Sequence, residues 1–190
     1  MCQRLILPRP VTSSLVFNAT AHASEVRLYG DPLGTVLRAP LGSHLLAMLP
    51  GAPPVSLFNL RLEGQLIMRD GLLHVDECVV THGRSDSLAV PHSAQENSLA
   101  APQTRPADCD GGGGALQLRG GRFEARGSTF LDNYAASNGG AVCIDGGKAL
   151  FDWSRFEDNQ AEGQGGALFV REGSVQLVNG TYFYNNFGLW

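Results

Sequence analysis

The sequence has almost no lysine. Its fourteen basic residues are thirteen arginines and Lys148, set against eighteen acidic residues for a formal net charge of −4. No run of arginines forms a patch, and the mildly acidic balance argues against a dedicated nucleic-acid binder, whose affinity rests on neutralising phosphates. Charge of either sign is sparse, at 17% of residues, while 43% are hydrophobic. That proportion excludes a disordered chain, which lacks enough apolar surface to bury. There is no uninterrupted apolar run of about 18 residues, which excludes a transmembrane helix, and no Gly-X-Y period, which excludes collagen. The four cysteines, Cys2, Cys78, Cys109 and Cys143, contain no CxxC pair and no finger spacing, so no zinc site is expected. Their even number permits disulfides without requiring them. Nowhere does a helical period persist long enough to build a helix.

The N-terminal segment, residues 1–23, is poorly defined. It has an early Arg4 and an Ala21-His22-Ala23 sequence of the kind that precedes signal cleavage. However, Pro8, Arg9, Pro10 and Asn18 interrupt the apolar stretch that a signal peptide needs. Two sequons, Asn18-Ala-Thr20 and Asn179-Gly-Thr181, are usable only in a eukaryotic secretory route.

Glycine is what the chain has in excess: 24 residues, of which 17 lie between Gly111 and Gly188. They keep a beat. Gly113-Gly114-Ala115, Gly139-Gly140-Ala141 and Gly165-Gly166-Ala167 recur at one constant interval. Phe130-Leu-Asp-Asn133, Phe156-Glu-Asp-Asn159 and Tyr182-Phe-Tyr-Asn185 follow in the same register. Residues 113–138 and 139–164 share 10 identities in 26. Within each unit apolar positions alternate, as in Leu116/Leu118, Val142/Ile144 and Leu168/Val170, then again in Phe123/Ala125, Ala149/Phe151 and Val175/Leu177. A period of two is the strand signal. Such a unit cannot bury its apolar face alone, but coils stacked about 4.8 Å apart can. The pattern predicts an all-β fold, a right-handed parallel β-helix of about six coils over residues 24–190, with three regular 26-residue repeats at its C-terminal end.

Paired glycines then serve the sharp turns, where positive φ is nearly free only for glycine. Phe130, Phe156 and Tyr182 are expected to stack as an interior column, and Asn133, Asn159 and Asn185 as an amide ladder at an equivalent turn. Cys78, Ser128, Ser154 and Gly180 share the small position before the aromatic. Upstream, Val26–Leu28, Thr35–Leu37, Leu45–Leu49 and Ser56–Leu62 read as further strands. Leu66–Val75 resembles Leu168–Leu177 at an offset of three repeats plus 24 residues. The extra residues fall in 84–110, a segment with Pro91, Pro102 and Pro106, expected to be a long, mobile, protruding loop. The last coil closes on Phe187-Gly-Leu-Trp190 without a polar cap, so we expect a piece of a longer chain or an end capped by a partner.

The Gly-Gly-Ala-[Leu/Val] and Phe-x-x-Asn pairing resembles the repeat of chlamydial polymorphic outer-membrane proteins over residues 113–190. The upstream strands, such as Leu57-Phe-Asn-Leu-Arg-Leu62 and Val75-Asp-Glu-Cys-Val-Val80, are similar to the pectin-lyase-like superfamily. The first resemblance implies an adhesin-like module at a cell surface, binding an extended glycan or protein. The second implies, as the alternative, a polysaccharide lyase or glycoside hydrolase. Enzymes of that kind use outward carboxylates for acid–base work and a cation for the substrate's own carboxylates. The register offers one such cluster, His74, Asp76, Glu124, Arg126 and Asp152, which equally reads as a solvated face carrying cross-strand pairs such as Arg126–Asp152. The Asn-Thr-Asp, Asp-Asp and Gly-His-Gly motifs of pectin hydrolases are absent. Asp132 and Asp158 are expected to be followed in their row by Tyr184, which breaks an acidic ladder. His74 and His82 fall on different segments of a coil, so no metal is expected, and no cofactor motif occurs: Gly111–Gly114 has no Gly-Lys-[Ser/Thr] after it.

Overall fold

The computed structural model describes residues 2–6, 11–18, 24–31, 34–40, 43–85 and 109–189. Among them every element is a strand or a turn, and every strand pairing is parallel. No helix among the described residues is long and apolar enough to cross a membrane. Each coil visits four faces in turn. In the best-defined coil these are face one at Leu116–Leu118, face two at Arg122–Arg126, face three at Thr129–Leu131 and a short face four at Tyr134–Ala135. Consecutive coils pair face to face, which makes the molecule a parallel β-helix.

Among the described residues faces two and three each carry seven levels, against about six coils expected. The additional level comes from the N-terminal segment: Cys2–Ile6 pairs with Glu25–Tyr29, Val11–Thr12 with the strand at Thr35–Arg38, and Leu15–Phe17 with Leu46–Met48. At about 4.8 Å per step the stack is about 30 Å tall. The Ala21-His22-Ala23 sequence and Thr20 of the first sequon lie outside the described residues. In the last two levels faces one and two are parts of single long strands, Val142–Asp152 and Leu168–Val178, whose pairing shifts between Ile144 and Lys148.

Alternation along the strands fills the interior. Phe123, Phe130, Phe151 and Phe156 are fully buried, and Leu116, Val142, Leu118 and Ile144 complete the layers above Leu66 and Met68. Phe130 stacks on Phe156 with centroids 4.8 Å apart, and Phe151 meets both rings edge-on. Glycine is required where each regular coil begins. Gly113, Gly139 and Gly165 have φ of 66–68°, and a Cβ there would meet the carbonyl oxygen of Leu116, Val142 or Leu168 at 2.1–2.3 Å.

The last repeat departs from the beat. Asp152 pairs with Val178, one repeat on, but Arg155 pairs with Tyr182, one repeat and one residue on. The extra residue, in the Asn179-Gly180 turn, shifts everything after it, and three expectations are corrected. Phe183, not Tyr182, continues the interior column, 4.6 Å from Phe156. Asn186, not Asn185, continues the amide ladder. Thr181, not Gly180, takes the small position: its hydroxyl donates to the Phe151 carbonyl, as Ser128 donates to that of Val75. The row of Asp132 and Asp158 likewise runs on to Asn185, which bonds Asp158, and Tyr184 pairs instead with Glu157.

The expected loop at 84–110 is anchored at both ends. Arg84–Ser85 is a face-four strand paired with Tyr134–Ala135. Cys109 is buried and joined to Cys143 by a disulfide. Residues 86–108, where the prolines fall, lie outside the described residues.

Candidate functional site

Face two turns alternate residues to solvent, while Val26, Leu28, Leu73, Val75, Phe123, Ala125, Ala149 and Phe151 face the core. Parallel, in-register pairing stacks the outward side chains into columns. One runs Arg27, Ser56, His74, Glu124 and Leu150; the next runs Tyr29, Phe58, Asp76, Arg126 and Asp152. All of these but Tyr29 line a surface groove of about 490 Å³ that also takes in Glu25. All five residues of the His74, Asp76, Glu124, Arg126, Asp152 cluster are on its wall.

Most charges in the groove, Asp76 aside, are paired across neighbouring columns and levels. His74 Nδ1 lies 3.1 Å from Glu124 Oε2, and Arg122 contacts the other oxygen of the same carboxylate. Arg126 Nε stands 3.8 Å from Asp152 Oδ2, whose other oxygen accepts a 2.7 Å hydrogen bond from Asn179. At the opposite end Arg27 donates to Glu25 at 2.8 Å and holds its carboxyl below the usual carboxylate range. On face three, Arg38 does the same to Glu63. Both displacements run opposite to what a proton donor needs. Next to the charges the Tyr29 and Phe58 rings stack at 4.7 Å and 10°.

Other candidate chemistry resolves into structure. Cys78 is buried and its thiol is pushed up to about 12 by desolvation, which makes it no nucleophile. Its amide instead donates to Ser128 Oγ in the small-residue column. Among the described residues no set of His, Cys, Asp and Glu is placed to hold a metal ion. Asn133 and Asn159 are buried and bonded to each other, Asn133 Nδ2 to Asn159 Oδ1 at 2.9 Å.

The aromatic residues around the groove escaped the sequence reading. Tyr29 and Phe58 sit on different coils whose spacing is irregular, so nothing in the sequence aligns them. Trp153 looks like one residue of a turn, yet it is 62% exposed and has φ +50°.

The fold and groove define a parallel β-helix whose recurring units carry one decorated outer face. Residues 127–145 and 154–171, about a fifth of the chain, match the family model of the Chlamydia polymorphic membrane protein repeat. Comparison with curated proteins and with solved structures found no match.

Proposed function

We propose that the chain is a recognition solenoid, an adhesin-like surface module that holds an extended ligand in the groove on face two. The groove itself carries this reading: it runs across successive levels, along the axis of the stack, and most of its charges, Asp76 aside, are held in pairs. A solenoid suits such ligands because equivalent side chains recur along the rod. The Cys109–Cys143 disulfide supports a place in an oxidising compartment, as the repeat likeness does. The second reading, a carbohydrate-active enzyme, draws on the convergence of Glu124, Asp152 and Asp76 in one groove. Against it, Glu124 is committed to Arg122 and His74 together.

Binding of the purified chain to a panel of immobilised polysaccharides and intact cells tests this. We expect binding that falls at least tenfold in Arg126→Ala with Asp76→Ala, and no release of unsaturated or reducing ends from polyuronides. Depolymerisation by the parent chain that disappears in Glu124→Ala would overturn the recognition reading in favour of the enzyme.

A further inference from the structure

The turn that closes face two repeats in the same conformation along the stack. Its residues are Asn59, Glu77, Gly127, Trp153 and Asn179, with φ between 50 and 55°. Glycine and asparagine tolerate this left-handed region; a bulky side chain does so only at a cost. Tryptophan at Trp153 is therefore the residue least suited to its own backbone, and burial does not compensate, since the side chain is mostly exposed. Strain held at an exposed position invites a functional explanation.

A second observation is independent of the first. The one-residue lengthening of the last repeat falls directly beside this indole. Gly180, in the lengthened turn itself, lies against the ring: a Cβ there would meet the indole at 3.0 and 3.3 Å. The level below offers Gly127, whose Cβ would touch nothing but the Glu77 side chain. The ring is thus seated on a glycine on one side and unobstructed by a side chain at its own turn position on the other. Trp153 directly follows Asp152, the last residue along the groove's wall, so this platform stands just beyond the groove's end.

Along the groove, Phe58 and Asp152 are three levels apart, about 14 Å. Phe58 at one end with Tyr29 stacked behind it, the indole beyond Asp152 at the other, and Asp76, Arg126 and Asp152 between them form a row of aromatic and hydrogen-bonding groups. Pyranose rings present the same alternation, with C–H faces that lie on aromatic rings and hydroxyls that bond carboxylate and guanidinium groups. Resting on the recognition reading above, we infer that the groove's ligand is a linear oligosaccharide laid along the solenoid axis, with Trp153 as its stacking platform at one end and Phe58 at the other.

An array of linear tri- to hexasaccharides, neutral and acidic, tests this with three variants. Trp153→Asn installs the residue that the same turn already carries at Asn59 and Asn179, so it folds, with a melting temperature equal to or above that of the parent. We expect it to lose oligosaccharide binding at least tenfold, and Trp153→Phe to keep part of it. In a Trp190→Phe background Trp153 is the sole tryptophan, and its emission should shift on adding a bound oligosaccharide. Retained binding in Trp153→Asn with loss in Arg126→Ala would overturn the platform while leaving the groove. Retained binding in both would overturn the groove reading itself. A parent chain that binds no oligosaccharide on the array would overturn the ligand class.

Discussion

Asn159 shows what a single side chain contributes to a stack. Its Oδ1 accepts from the amide and Nδ2 of Asn133 on the level before, and its Nδ2 donates to the Phe130 carbonyl and to Asn186 Oδ1 on the level after. All of this happens in a site with 1% exposure. Removing the amide leaves buried donors and an acceptor unpaired, each costing about 1–3 kcal/mol. Asn159→Ala should therefore lose about 3 kcal/mol or more in urea unfolding. Asn186→Ala, at the partly open end of the same ladder, should lose less than about 1.5 kcal/mol. Equal losses would mean that the ladder is incidental to stability. The sequence made Asn133 and Asn159 legible because their spacing is the repeat itself. It misdirected the third rung for a specific reason: Tyr182-Phe-Tyr-Asn-Asn186 satisfies aromatic-x-x-Asn in two frames. Chemistry chooses the second frame. With Phe183 on the column and Asn186 on the ladder, Tyr182 stands outside, where it bonds Glu157, which raises the proton affinity of the phenol, and lies under Arg155.

At the scale of elements, the return of the 84–110 insertion behaves as part of the outer layer of face one. Cys143 and Gln117 are outward positions on that face, yet both are buried, because the segment from Cys109 to Gly114 lies over them. Gln117 Nε2 donates to the Cys109 carbonyl, Gly112 would crowd Cys143 if it had a side chain, and the disulfide fixes the contact. Its two cysteines are 34 residues apart, a separation for which chain entropy gives about 3–4 kcal/mol. The Cys109→Ser, Cys143→Ser pair should unfold at lower denaturant by that order, match the reduced parent, and open to proteolysis between Cys109 and Gly114. Protection of that segment in the reduced protein would show that packing alone holds it. The pairing was not legible in the sequence, since four cysteines allow three connectivities and Cys109 has no counterpart in the repeat. The face-two cluster was legible, because register follows once two coils are aligned by their glycines. The aromatic pair Tyr29 and Phe58 was not, because the early coils turn without those glycines and give no common frame.

For the whole molecule, the seven levels imply that stability is distributed along the axis. A level touches only its neighbours, so the energy is nearly a sum of level and interface contributions. The regular repeats make this testable, because deletion of residues 139–164 joins Asn138 to Gly165, and Gly165 has nearly the same φ and the same close carbonyl as Gly139. The shortened chain can then set Phe183 on Phe130 and Asn186 on Asn133, the neighbours they would acquire by closing the gap. Cys143 leaves with the deleted level, so the variant carries Cys109→Ser. A globular sandwich would lose central strands and fail to fold, whereas a solenoid loses one of its repeated interfaces. We expect a cooperatively unfolding, β-rich protein with a lower melting temperature. Its urea m-value should fall by about one seventh, in proportion to the surface that no longer becomes exposed. An unfolded product, or an m-value unchanged within error, would mean that the levels are not the independent units their hydrogen bonding describes. The deletion also removes Trp153 and Asp152 together, so the folded product should bind no better than Trp153→Asn, which ties the architecture to the groove it carries.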